Sequence, residues 1–474
     1  MTQRSRRKPL DPARRAAFDV LRAVSERDAY ANLALPAMLS ERGITGRDAA
    51  FATELAYGTL RVRGLLDAII AAAADRPVEH IDPVLLDLLR LGAYQLLRTR
   101  VEPHAAVSTT VEQAGVEFDS TRAGFVNAVL RKITGRDEKS WVTELAPDPS
   151  SDPVGHAAFV NAHPRWIAQS FTDALGGDAG ELAALLASDN GRPAVHLAAR
   201  PGVITGEELA AEVQGTVGRY SPFAVYLPGG DPGRLRPVRD AMALVQDEGS
   251  QLVARALVEA PLEGADGGRW LDLCAGPGGK TALLAALGEA VGARVTAIEP
   301  APRRAEMVEQ NTRGLDVDVL RVDGRDAEAI ALRASGSPEA VALRASGSSA
   351  PGFDRVLVDA PCTGLGALRR RPEARWRRTP ADVPELTKLQ RELLASAIRL
   401  VRPGGVVLYA TCSPHLAETV GVVGNALRRE PVAALDARPL FAPADRLGDE
   451  MHVQLWPHRH GTDAMFAAAL RKLG

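Results

Sequence analysis

Between about residue 245 and residue 414 the chain alternates short apolar runs with helical stretches, and this rhythm restricts its fold more than any other feature. RWLDLCA (269–275) reads as a strand and KTALLAALGEA (280–290) as a helix. ARVTAIEP (293–300) reads as a strand and PRRAEMVEQN (302–311) as a helix. DVDVLRVDG (316–324) and FDRVLVDAP (353–361) are further strands, followed by the helix LTKLQRELLASAIRLV (386–401) and the strand GVVLYATCS (405–413). Strands separated by whole helices predict a mostly parallel, doubly wound sheet. In such sheets ligands gather at the carboxyl ends of the strands.

Three of those strand ends carry chemistry. In WLDLCAGPGGKT (270–281) a strand closes at Asp272, a loop with three glycines follows, and a helix begins near Lys280. Glycine lets a backbone approach a ligand closely, and a helix start presents free N–H groups. The spacing is neither the dinucleotide fingerprint nor a phosphate-binding Walker loop. Glu299 ends the next strand, where an acid takes both hydroxyls of a ribose, and Asp323 ends the third. A glycine loop with two strand-end acids suits an adenosine-containing ligand that lacks a pyrophosphate. The other two ends are VLVDAPCTGLG (356–366), with Asp359, Pro361 and Cys362, and YATCSP (409–414), with Cys412. A lone cysteine is usually buried and inert. Two cysteines in strand-end loops of one ligand-binding edge point to thiol chemistry.

ALRRRPEARWRR (367–378) places six arginines and a tryptophan directly after the Cys362 loop. Arginine binds phosphate and Trp376 offers a stacking face, so Arg369, Arg370, Arg371, Arg375 and Trp376 are candidate RNA contacts. Net charge gives no guide to such a partner, being −2 over 474 residues. The remainder divides by pattern. A basic arm, expected to be disordered, covers 1–9. Helical periodicity with Asp-Pro starts at Asp11 and Asp82 predicts an all-α domain over 10–135. A Pro-, Ser- and Asp-rich linker is expected over 136–155, a small α+β domain over 156–240, and the α/β domain over 241–474. The heptapeptide ALRASGS, present at 331–337 and again at 342–348, reads as a surface insertion. No run of about 18 apolar residues predicts a membrane span, and no secretory signal opens the chain. Three cysteines in a chain this long predict reduced thiols in a cytoplasmic protein. No metal is expected, and the chain is expected to be a monomer.

The blocks VQDEGSQL (245–252), LDLCAGPGGKT, DAPCTGLG, RRRPEARW, RPGGVVLYATCS and HGTDAMF (460–466) resemble the bacterial RsmB/Sun (Fmu) family of RNA cytosine-C5 methyltransferases. FATELAYGTLR, LLRLGAYQLL and GFVNAVLRKI resemble the antitermination factor NusB, an RNA-binding module. The resemblance covers nearly the whole chain. It implies a NusB-like N-terminal domain, a small α+β domain and a Rossmann-like methyltransferase domain that uses S-adenosylmethionine. It implies Cys412 as the nucleophile and Cys362 as the helper in product release. It also implies Cys274, Ala275, Gly276, Pro277, Gly278, Gly279, Lys280, Glu299, Asp323 and Asp359 as positions that bind S-adenosylmethionine, and a cytosine of small-subunit ribosomal RNA as substrate.

The chemistry explains the thiols. C5 of cytosine is too weak a nucleophile to attack a methyl sulfonium. A thiolate added to C6 makes the ring an enamine, and an acid near N3, a role for Asp359, stabilises the charge. The residues alone leave open which cysteine attacks, since DNA cytosine-C5 methyltransferases use the cysteine of a Pro-Cys motif, here Cys362. Transfer RNA as substrate and a non-catalytic assembly factor are the other readings. The chain departs from the family after TCS, where PHLAETV keeps only Glu418 of the usual acidic segment, and at HLAAR (196–200).

Overall fold

Two sets of elements, one helical and one built on sheets, emerge from a computed structural model that describes residues 10–334 and 352–474. The chain divides into two units, Met1–Gly191 with Leu368–Arg378, and Arg192–Ala367 with Thr379–Gly474. The basic arm and most of the ALRASGS repeats lie outside the described residues. Among the described residues no helix is long and apolar enough to cross a membrane.

The first unit is all helix. Asp11 accepts from Arg14 N and starts the helix Pro12–Arg27; Asp82 accepts from Val84 N and starts Pro83–Arg98. In each, proline fills the first helical position, where its missing N–H costs nothing. Phe18, Leu21 and Val24 share the buried face expected from their spacing, and join Leu55, Leu66, Ile69, Leu89 and Leu130 in one core. The stretch 136–155, expected to be a linker, instead carries the helix Glu138–Leu145 and the start of Pro153–Val160. Its Asp137 and Asp152 are helix caps, accepting from Ser140 N and Gly155 N. Trp141 lies in the helical core. Residues 156–191, expected in the α+β domain, belong to this unit.

The second unit holds two sheets. The smaller comprises β1 (Val195–Ala199), β2 (Thr216–Val217), β3 (Ala224–Leu227) and β4 (Ala243–Val245), antiparallel in the order β2-β3-β1-β4. β4 extends this piece past the expected boundary at 240.

The larger sheet contains β5 (Arg269–Asp272), β6 (Arg294–Ile298), β7 (Val317–Leu320), β8 (Phe353–Asp359), β9 (Val401–Thr411), β10 (Val432–Leu435), β11 (Val453–Gln454) and β12 (Phe466–Lys472). Its order is β10-β12-β9-β8-β5-β6-β7, with β11 beside β12. Strands β7, β6, β5, β8 and β9 run parallel, and β12 is antiparallel to β9 and β10. Both faces are buried, as a parallel sheet requires. Along β8, Val356 and Val358 pack with Ile298 and Leu394, while Leu357 packs on the opposite side with Trp270 and Leu284. The strand order reverses between β5 and β8, where open α/β sheets form their ligand crevice.

Candidate active site

The loop after β5 is shaped by what a side chain would strike. Gly278 has φ +107°, and a Cβ there would lie 2.9 Å from Val308 Cα, so only glycine is accommodated. Gly278 precedes the helix Gly279–Glu289, whose first N–H groups face out of the loop end. Asp272, buried at the end of β5, accepts from Thr281 Oγ1 at 2.7 Å and ties the strand to this helix. Burial pushes its carboxyl up to about 6, although the Thr281 hydrogen bond pulls the other way. Burial, with the charges of Asp272, Asp359 and Glu299, also pushes the Cys274 thiol well up, so Cys274 sits in the loop as a neutral thiol.

Glu299 follows β6 and is 3% exposed. One oxygen accepts from Ala301 N at 3.0 Å; the other lies 3.3 Å from Arg304 Nε. A Cβ at Gly276 would come within 2.2 Å of that second oxygen. The missing side chain at Gly276 leaves the Glu299 carboxylate facing the loop, the cradle a ribose needs. The site therefore fits the adenosine-bearing ligand inferred from the sequence. Arg304 also donates to Gly276 O at 2.7 Å and Asn311 Nδ2 to Pro277 O at 2.8 Å, so the following helix braces the loop. Asp323 is half exposed and pairs with Arg325 at 2.6 Å, whose hydrogen bonds hold its carboxyl below the usual range.

At the carboxyl ends of β8 and β9 the remaining groups meet. Lys280 Nζ lies 2.7 Å from Asp359 Oδ2 and 3.2 Å from Ser250 Oγ. Burial works against the Lys280 ammonium, but Asp359, with the Cys412 and Asp272 groups, outweighs it and raises its pKa. Lys280 thus carries a held charge beside the nucleophile candidates. Cys362 Sγ and Cys412 Sγ stand 3.4 Å apart. The hydrogen bond to Cys412 and burial push the Cys362 thiol well up. Either sulfur can be the donor across this contact. The loop between the cysteines' strands is stitched down as well. Gly366 N donates to Cys412 O at 2.8 Å, and a Cβ at Gly366 would lie 2.1 Å from Ala464 O.

The strand-end groups named from the sequence lie near one another; Ser250 and Arg304, which the sequence did not single out, contact Lys280 and the glycine loop. Ser250 lies within VQDEGSQL, yet no spacing rule singles it out; its role appears only when Lys280 reaches it.

The arginine-rich segment corrects an expectation. Leu368–Arg378 belongs to the helical unit. Arg375 is fully buried and donates to Asn190 Oδ1 and Asp189 O, each at 2.7 Å. Trp376 Nε1 donates to Leu60 O at 2.7 Å, and its ring fills the space over Gly64. Arg369 is 6% exposed and Arg370 partly buried; Arg371 is exposed, its guanidinium 5.6 Å from the Tyr30 ring centroid. Arg375 and Trp376 therefore serve the interior. The Arg375 guanidinium is fully buried, so a phosphate cannot reach it.

Residues 252–471 match the family described as 16S rRNA methyltransferase RsmB/F, and residues 11–135 match the NusB family. The chain is 74% identical to a Mycobacterium tuberculosis protein named as a methyltransferase, over 100% of both chains. It is 33% identical to ribosomal RNA small subunit methyltransferase B of Pseudomonas putida, covering 97% of this chain and 98% of that one. The crystal structure of PH0851 superimposes with a TM-score of 0.78 at 23% identity, covering 98% of this chain and 99% of that one. NSun6 from Pyrococcus horikoshii with SFG gives 0.54 at 18% identity, over 66% and 100%. At those identities the two structures speak to the fold alone.

Proposed function

Because the chain belongs to the RsmB/F family of S-adenosylmethionine-dependent RNA methyltransferases, we propose that it methylates C5 of a cytosine in 16S ribosomal RNA through a bond from Cys412 to C6. The observation that carries this reading is the 3.4 Å approach of Cys362 and Cys412 beside the Lys280–Asp359 pair. The relative named ribosomal RNA small subunit methyltransferase B supports the substrate class.

Residues 274–280 with Glu299 and Asp323 would hold S-adenosylmethionine, which would supply an electrophilic methyl sulfonium. Cys412 attacks C6 as thiolate. The C5–C6 π pair moves through C4 onto N3, where a proton neutralises it. Asp359 is paired with an ammonium at 2.7 Å, so the proton offered to N3 resides on Lys280, and Asp359 aims it. C5 then takes the methyl group as the carbon–sulfur pair leaves on the donor's sulfur, and N3 returns its proton. Loss of the C5 proton to a base restores the C5–C6 double bond and expels Cys412 as thiolate. Cys362, already in contact with that sulfur, assists this release. The target base must leave its stack to reach the sheet edge.

The cysteine variants test the assignment. Cys412→Ala should give no covalent RNA adduct on a denaturing gel, whereas Cys362→Ala should accumulate one. The opposite pattern would assign the attack to Cys362. Bisulfite sequencing of 16S ribosomal RNA from a deletion strain should show one cytosine losing its protection; no change there would refute the substrate.

A further inference from the structure

We propose that Glu418 is a positioning residue whose carboxylate holds the two cysteine loops in register, keeping Cys362 against Cys412; its relevance to turnover rests on the reaction assigned above. The Glu418 side chain is fully buried, as are Thr363, Ser413 and Gln390 around it. One carboxylate oxygen accepts from Thr363 N at 2.8 Å and Gln390 Nε2 at 3.1 Å. The other accepts from Thr363 Oγ1 at 2.5 Å and Ser413 Oγ at 2.6 Å.

The sequence positions of these donors matter. Thr363 directly follows Cys362, and Ser413 directly follows Cys412. Gln390 also donates to Pro361 O at 2.8 Å, directly before Cys362. One carboxylate thus grips the residue after each cysteine, and the two hydroxyls it holds approach each other at 3.1 Å. Its own main chain is fixed too, because Tyr409 Oη donates to Glu418 O at 2.7 Å, and Tyr409 lies on β9 three residues before Cys412. A buried carboxylate is tolerated only when its lone pairs are engaged, and charge-assisted bonds to it are short and directional. Four such bonds in one place make a clamp across two strand ends. The bonds around Gly366 hold the far end of the Cys362 loop; Glu418 holds the near end, where the sulfur is.

The clamp is tested in the full-length protein by how fast the two sulfurs can be joined. Diamide takes two electrons and two protons from Cys362 and Cys412 as the disulfide forms, and becomes the corresponding hydrazine. Peptide mass spectrometry follows the bond, with Cys274 as the unpaired reference. Glu418→Ala should slow closure by about tenfold to a hundredfold, the scale set by an ångström of misplacement, and lower kcat similarly. KM for the methyl donor should stay within about twofold, because the donor loop is untouched. Glu418→Gln should restore both rates. Its amide oxygen still accepts from Thr363 N and Gln390, and its amide nitrogen donates to the two hydroxyls. Closure at the wild-type rate in a folded Glu418→Ala protein would overturn the clamp. Should that variant fail to fold, Ser413→Ala cuts the Cys412-side tie alone: slowed closure upholds the proposal and an unchanged rate overturns it. Slowed closure in a protein whose wild type methylates no cytosine would overturn the assigned reaction and leave the clamp standing.

Discussion

Arg375→Met removes the charge at the centre of the helical unit while keeping an apolar stem of similar reach. The guanidinium it replaces makes two hydrogen bonds of 2.7 Å and longer ones to Arg61 O at 3.2 Å and Ala162 O at 3.4 Å. Asp189 is 1% exposed; neither of its carboxylate oxygens has a hydrogen-bond partner among the described residues, His163 Nε2 lies 3.6 Å from one of them, and the Arg375 charge acts on the carboxylate through space. The two acceptors of Arg375 at 2.7 Å, Asn190 Oδ1 and Asp189 O, are left unmet at about 1–3 kcal/mol each, so about 4 kcal/mol is expected. At about 2–4 °C per kcal/mol for a unit of this size, the helical transition should fall by roughly 8–16 °C. Differential scanning calorimetry measures the shift, and filter binding to ribosomal RNA at two salt concentrations measures affinity in parallel. If melting is unchanged while RNA affinity falls and its salt slope drops by about one, Arg375 is a phosphate contact after all.

Gly278→Ala forces a side chain into a φ of +107° and against Val308, so affinity for S-adenosylhomocysteine should fall by about tenfold, from about 1–2 kcal/mol of backbone strain alone. Isothermal titration with an unchanged Kd would contradict the loop geometry. Lys280→Met should lower kcat by about 10²–10⁴-fold if its ammonium donates to N3, and a loss of less than tenfold in single-turnover methyl transfer would remove it from that role. His163 gives the helical unit a pH signature. Burial, reinforced by the Arg375 charge, pushes its pKa down from 6.5 to about 4. The unfolded chain therefore takes up this proton first, and the stability His163 contributes, present above about pH 6.5, is lost as pH falls through about 4. Urea midpoints measured across that window should fall less steeply in His163→Gln; equal slopes would mean that other groups carry the acid sensitivity.

The β/α alternation and the strand-end chemistry were readable because both are local. Glu299, Asp359, Cys362 and Cys412 end strands that announce themselves within ten residues, and a doubly wound topology sends those ends to one edge. The misreadings have a shared physical source. RRRPEARWRR has one composition whether it is solvated or buried. Only Asp189, Asn190 and Leu60, far away in sequence, decide that Arg375 and Trp376 face inward. Asp137 and Asp152 look like loop residues by composition, yet the same short side chains that favour turns also cap helices. Glu418 stood out in the sequence as the one acid kept after TCS, but its purpose needed Thr363 and Gln390, which arrive from other segments.

The detour of Leu368–Arg378 into the helical unit has a consequence for how this protein can be cut and recombined. A fragment ending at Gly191 looks like a self-contained N-terminal module, but it would be expressed without the guanidinium that donates to Asp189 O and Asn190 Oδ1 and without the indole that covers Gly64. The complementary fragment would carry those arginines and Trp376 as an exposed, aggregation-prone loop. The boundary that matters for domain grafting is therefore three breaks in the polypeptide rather than one. A transplanted helical unit keeps its interior only if the eleven-residue segment travels with it.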